Sequence, residues 1–142
     1  MYFDHLGIVV PTLADGRAHL TGLFDITAWT DEFCDPFNQE FVQFGRDGSG
    51  ICYEAIAPLG ETSPVLSALA KADRILNHVA YRVATLDVEA TRLAKLECVP
   101  VGLPKPAVAY GNARIQFFVT PLRFLVELIE AAAFQHVYVG KG

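Results

Sequence analysis

The feature that most constrains this chain is a repeat within it. Phe3-Asp4-His5-Leu6-Gly7-Ile8-Val9-Val10 resembles Leu76-Asn77-His78-Val79-Ala80-Tyr81-Arg82-Val83, and His78 follows His5 by 73 residues (78 − 5 = 73). The same shift carries Gln43 onto Gln116, Glu54 onto Glu127, and Leu20 and Leu23 onto Leu93 and Leu96. Polar residues keep the register along with apolar ones, which chance likeness between short apolar strands would not produce. Such a repeat marks two copies of one supersecondary unit, which we expect to be related by a pseudo-twofold axis.

Each copy reads as β-α-β-β-β, so the fold class is α+β with two tandem modules. Residues 2–10 are rich in the β-branched and aromatic residues of strands. Leu13, Leu20, Leu23 and Phe24 sit at near-helical spacing behind Thr12, a natural N-cap. A short strand is expected within 26–33, then strands at 39–45 and 50–57 joined by Arg46-Asp47-Gly48-Ser49. The second copy has a helix at 86–97 and a last hairpin that turns near Thr120-Pro121-Leu122. One domain therefore spans 1–142: module one at 2–57, a linker at 58–74, module two at 75–130 and a tail at 131–142. Ser63 and Pro64 start a linker helix that runs to Lys71. The tail is apolar without a clear period and is read as a surface for a partner subunit.

The 142 residues are 52% hydrophobic, enough for a proper core. With a net charge of −5 and no cluster of Lys or Arg, nucleic acid is not an expected partner. Runs such as Phe124–Ile129 are too short to cross a bilayer, which takes about 20 residues. The first residues lack the basic and apolar regions of a signal peptide. Cys34, Cys52 and Cys98 have neither zinc-finger spacing nor even number, so they read as packing residues, with Cys52 a candidate for the cleft. We expect a cytoplasmic protein that takes a small-molecule substrate and forms a homodimer.

Alternate residues of a strand share a face. His5 lies with Phe3 and Gly7, and His78 with Leu76 and Ala80, so a small neighbour leaves room beside each ring. Glu54 and Glu127 are embedded in apolar strands, where an unpartnered carboxylate costs several kcal/mol. The pseudo-twofold brings the four together as a two-nitrogen, two-oxygen site for one divalent metal: Zn, Ni, Co, Mn or Mg. His19, on the first helix, and His136, in the tail, lack matching histidines and read as surface residues.

The motifs around His5 and His78, with Leu125-Val126-Glu127-Leu128, resemble the strands of the vicinal oxygen chelate superfamily. That superfamily includes glyoxalase I, methylmalonyl-CoA epimerase, extradiol dioxygenases and bleomycin-resistance proteins. The resemblance covers residues 2–130 and is nearest to the epimerase, through Ala57-Pro58-Leu59-Gly60-Glu61-Thr62-Ser63-Pro64 and Gly111-Asn112-Ala113-Arg114-Ile115. It implies a U-shaped cleft around a metal held by His5, Glu54, His78 and Glu127. Glu54 stands where the epimerase usually has Gln, as in the glyoxalase I type. Gln43 aligns with the epimerase's second base, and Val119-Thr120-Pro121 replaces its usual His-Pro-Lys. These departures argue against ordinary methylmalonyl-CoA epimerase activity.

The resemblance implies proton transfer next to a carbonyl through a metal-stabilised enolate, on a thioester or thiohemiacetal. Glu127 would be the base, with Glu54 facing it. Gln43 and Gln116 would donate to substrate oxygens, and Arg114 either pairs with an anionic substrate group or forms a surface salt bridge. Two other classes compete. A dioxygenase of this fold uses two His and one carboxylate, which a fourth protein ligand disfavours. A non-catalytic binding or resistance protein usually lacks the complete set.

Overall fold

The computed structural model describes residues 1–141, with side chains described through Val139. Module one comprises β1 (Tyr2–Val9), α1 (Leu13–Phe24), β2 (Ile26–Thr30), β3 (Phe33–Asp35), β4 (Glu40–Asp47) and β5 (Cys52–Pro58). After the linker helix α2 (Leu66–Lys71), module two comprises β6 (Leu76–Arg82), α3 (Leu86–Lys95), β7 (Val99–Ala107), β8 (Ala113–Val119) and β9 (Leu125–Ile129). A 3-10 turn, Val108–Tyr110, separates β7 from β8. The strand β3 is an addition to the expected unit, a three-residue rung on β4.

The strands form one sheet in the order β10-β2-β4-β5-β1-β6-β9-β8-β7, where β10 is Tyr138–Lys141. The modules meet at its centre, where β1 and β6 pair antiparallel with His5 opposite Ala80 and Gly7 opposite His78. On either side β1 runs parallel to β5, and β6 parallel to β9. Val42 and Phe44 of β4 share one apolar cluster with Ala107 of β7, Tyr110 and Ile115 of β8. Four strands separate β4 from β8, so the sheet curls until its two flanks meet around a cleft. Helices α1 and α3 cover the other face, while α2 packs on the cleft-side cluster through Ala68 and Leu69. Leu13 and Leu20 of α1 pack with Ile8, Trp29 and Ala55, while Leu86 and Leu93 of α3 pack with Phe118 and Leu128.

Local chemistry fixes the helix starts. The Thr12 hydroxyl accepts from the Asp15 amide at 3.2 Å, as an N-cap should. Glu130 accepts from the Leu86 amide at 2.7 Å and so caps α3 across the fold. The helix α2 begins at Leu66, later than the expected Ser63, because the Ser63 carbonyl is spent on a turn that accepts from the Leu66 amide. Among the described residues, no helix is long and apolar enough to cross a membrane.

The tail departs from its reading. It is ordered rather than patternless, and it folds back on its own chain: β10 pairs antiparallel with β2, and Phe134 and Tyr138 pack against the cleft-side core. Gly142 lies outside the described residues.

Leu128 has no exposed surface and joins α3 to β8 and β9. Leu128→Ala should cost about 2–5 kcal/mol. Urea unfolding checks this, with a lower midpoint at unchanged slope as the expected outcome.

Candidate metal centre

The four repeat-related residues converge. The Nε2 atoms of His5 and His78 lie 3.0 Å apart. Glu54 Oε1 stands 3.3 and 3.4 Å from them, and Glu127 Oε1 stands 3.3 Å from both. All four side chains are buried. Gly7 makes the approach possible: a Cβ there would lie 2.2 Å from His78 Cε1.

The hydrogen bonds behind the rings decide what this cluster can hold. His5 Nδ1 donates to Asp4 Oδ2 at 2.8 Å, and His78 Nδ1 donates to Asn77 Oδ1 at 2.8 Å. Both partners are acceptors, so a neutral ring directs its Nε2 lone pair at the cluster. Two lone pairs and two carboxylates then face one another, and buried Glu127 Oε1 has no hydrogen-bond partner. Such a donor set is stable only around protons or a cation. The imidazole–carboxylate spacings of 3.3–3.4 Å fit a cation, since ligands about 2.0–2.2 Å from a tetrahedral centre are about 3.3–3.6 Å apart; the two Nε2 atoms, at 3.0 Å, are closer than that. Each ring backed by an oxygen acceptor is also the usual arrangement of metal-bound histidine.

In the metal-free protein, protons fill this role. Burial opposes charge on His5, but the Glu54 charge and bonds to Asp4, Glu127 and Glu54 override it and raise its pKa well above the ordinary value. His78 is raised in the same way, burial being outweighed by Glu127 and Glu54. Burial works against the Glu54 carboxylate too, yet the adjacent His5 charge holds its pKa down.

Glu40 is the residue that the sequence reading missed. Antiparallel partners point to the same side of a sheet, and β4 pairs Phe44 with Glu54, Val42 with Ile56 and Glu40 with Pro58. Glu40 therefore faces the cleft, half-buried. Burial, with the Glu54 and Glu127 charges, pushes its pKa well above the usual carboxylate value. It lines a cavity of about 260 Å³ with Asn77, His78, Lys105, Ile115 and Phe117. Lys105 enters beyond a bulge at Gly102 and makes no ion pair among the described residues.

Of the three expected substrate contacts, Gln43 and Arg114 lie elsewhere and Gln116 sits at the cavity's border. Gln43 pairs with Ala55 on the opposite face, where its Nε2 donates to the Thr30 carbonyl at 2.8 Å. Placing the turn at Arg46–Ser49 sets the wrong parity. Asp47 instead accepts from the Ser49 and Ile51 amides, and Arg46 pairs with Cys52. That register puts the even residues of β4 in the cleft. Gln116 borders the cavity, but its amide donates to the Gly102 carbonyl at 3.1 Å. Arg114 points outward to Glu130 at 3.1 Å and Asp87 at 3.5 Å, an exposed ion-pair cluster. Cys52 packs in the core, where burial raises its thiol pKa to about 11, and Cys34 is exposed rather than packed. His19 is exposed as expected, whereas His136 is not: its Nε2 reaches Asp4 at 2.9 Å and its side chain is 8% exposed.

Fold and cluster together define paired βαβββ modules around one two-imidazole, two-carboxylate pocket. The sequence profile of the Glyoxalase/Bleomycin resistance protein/Dioxygenase superfamily matches residues 4–118, and the chain belongs to that superfamily. The structure is similar to methylmalonyl-CoA epimerase from Mycobacterium tuberculosis, with 25% identity, TM-score 0.73, and coverage of 90% of this chain and 86% of that one. A hypothetical protein from Bacillus halodurans C-125 aligns with TM-score 0.78 at 20% identity, covering 95% of this chain and 97% of the other. A variant of Streptomyces coelicolor methylmalonyl-CoA epimerase, in complex with 2-nitronate-propionyl-CoA, aligns with TM-score 0.71 at 20% identity, covering 96% and 99%. None of the curated proteins matches the sequence.

Two outcomes follow. Gly7→Ala should drive the His78 ring out of the cluster and weaken zinc binding at least tenfold, measured by chelator competition. Protons and metal compete for the imidazoles, whose raised pKa values keep them charged above the usual 6.5. Those bound protons stabilise the metal-free fold fully below about pH 6.5, and that contribution fades as pH rises through the raised values. The increase in Tm caused by zinc should therefore grow from about pH 6 to pH 8, as thermal melts at each pH would show.

Proposed function

We propose that this chain is a metal-dependent acid–base enzyme that moves a proton on the carbon beside a carbonyl: an isomerase, epimerase or lyase of its superfamily. The observation that carries this reading is the buried His5–Glu54–His78–Glu127 cluster, with the further carboxyl of Glu40 on the cleft wall. A divalent cation, when held by those four residues, polarises a substrate carbonyl and stabilises the negative charge that develops on its oxygen, worth several kcal/mol.

The chain's own groups move the proton. Glu127 is the base, the role that the resemblance gives the last-strand glutamate; its buried Oε1 takes no hydrogen bond and stands 3.3 Å from both imidazole Nε2 atoms. Glu54 chiefly completes the ligand set. Glu40, whose pKa is raised by burial and by the Glu54 and Glu127 charges, is the second proton-transfer carboxyl, placed on the cleft wall apart from Glu127. Lys105 meets an anionic group on the substrate. Val101, Ile115 and Phe117 give the cavity apolar walls that exclude water. An acyl thioester is the favoured substrate class, in keeping with the 2-nitronate-propionyl-CoA complex of the similar epimerase.

Glu40 also alters the argument from Gln43. The objection to epimerisation was the absence of a second proton-transfer group, and Glu40 supplies one from the cleft face. The Gln43 argument against methylmalonyl-CoA therefore falls, while the departure at Val119-Thr120-Pro121 stands.

Solvent-deuterium incorporation beside the carbonyl of methylmalonyl-CoA tests the roles, with metal content checked in each variant. Glu127→Gln should lower exchange at least about 10²-fold. Glu54→Gln should keep the metal and substantial activity. Glu40→Gln should retain exchange at one stereochemical face while losing inversion. Full-rate exchange by metallated Glu127→Gln would show that another group is the base. Tight binding of thioesters with no exchange by wild type would favour a binding protein instead.

A further inference from the structure

Asp4, His5 and His136 form a second group of potential metal ligands, but its atoms are already committed to one another. Asp4 Oδ2 takes His5 Nδ1 at 2.8 Å, His136 Nε2 at 2.9 Å and the Tyr110 hydroxyl at 2.5 Å. Arg82 Nε lies 2.9 Å from Asp4 Oδ1. Burial opposes the charge, but the contacts with His136 and His5 outweigh it and hold the Asp4 carboxyl well below the usual carboxylate range. With its lone pairs spent this way, the carboxylate serves as a hub and leaves no second ion site.

The hub is lopsided with respect to the repeat. Behind His78 stands only the neutral Asn77 amide. Behind His5 stands a charged carboxylate held by module one, module two and the tail together. The tail's share is His136. Its ring lies 4.2 Å from the Phe44 ring, centre to centre, and also neighbours Tyr110 and Phe134. Phe44 in turn meets the His5 ring edge at 5.3 Å. His136 thus touches the ring that packs on His5 and the carboxylate that bonds to it. On the other side, Tyr138 follows in β10, which ties this segment to β2.

We propose that His136 is a positioning residue of the metal centre: by fixing Asp4 it fixes the ring orientation and tautomer of His5. The tail thereby completes the metal site from within the same chain. This rests on the four-ligand reading above, which wild-type zinc binding tests separately.

The experiment is a zinc(II) titration of the metal-free, full-length protein against a chromophoric chelator. His136→Phe keeps the aromatic packing and removes the donor; it should weaken zinc about tenfold, the low end for groups supporting a metal-bound histidine. His136→Gln, whose Nε2 can still donate to Asp4, should restore affinity close to wild type. In an Asp4→Asn background, where the hub is already impaired, His136→Phe should cost clearly less. Wild-type affinity in His136→Phe, equal weakening in both His136 variants, or a full tenfold loss added to that of Asp4→Asn would overturn the proposal. Should His136→Phe not fold, imidazole ¹⁵N spectra of the wild type decide. A slowly exchanging His136 Nε2 proton supports the role, and a freely exchanging one overturns it. Failure of wild type to bind zinc at all would instead remove the four-ligand reading, and this proposal with it.

Discussion

The structure is organised around an electrostatic demand: two imidazole nitrogens and two carboxylates share one buried point with no hydrogen-bond donor of the protein among them. Lone pairs 3.0 Å apart in a dry core repel unless positive charge sits between them. The central β1–β6 pairing sets each histidine against a small residue, Ala80 for His5 and Gly7 for His78. The parallel partners β5 and β9 then deliver one carboxylate from each module. Duplication is an economical route to such a site, because one strand that offers a histidine and one that offers a glutamate become a four-ligand cage when the unit is paired with its copy.

The copies have diverged where chemistry differs from support. Module one carries the Asp4 hub behind its histidine and Glu40 along the cleft wall. Module two carries a neutral amide behind its histidine, and Lys105 and Phe117 at the mouth. A symmetric cage thus opens onto an asymmetric cavity. That asymmetry is what a proton-transfer site requires, since acid and base must occupy different positions around one carbon.

Much of this was legible in the sequence. The repeat exposed both modules and the four converging residues because polar positions kept register, and the Thr12 cap and α1 limits followed from local chemistry. Alignment with the epimerase's second base points to Gln43 as a cleft residue, but the turn that the Asp47 side chain sets gives the cleft to the even residues of β4, Glu40 among them. Arg114 stood between a substrate contact and a surface salt bridge because strand alternation cannot reveal Glu130 beside it, and the ion pair decides for the second. The tail was opaque for a different reason. Its alternation is inverted, with His136 and Tyr138 turned inward while Val137 and Val139 are exposed. No hydrophobic pattern marks such a strand, and its inward polar groups acquire meaning only beside Asp4 and Cys52.

The central claim is that one divalent cation sits among His5, Glu54, His78 and Glu127. X-ray absorption at the zinc edge, on full-length protein loaded with one equivalent, tests it most directly. The account predicts a nitrogen and oxygen shell at about 2.0–2.2 Å with the outer-shell scattering of two imidazoles, lost in His78→Ala. A shell without imidazole scattering, one containing sulfur, or a spectrum unchanged in His78→Ala would contradict it.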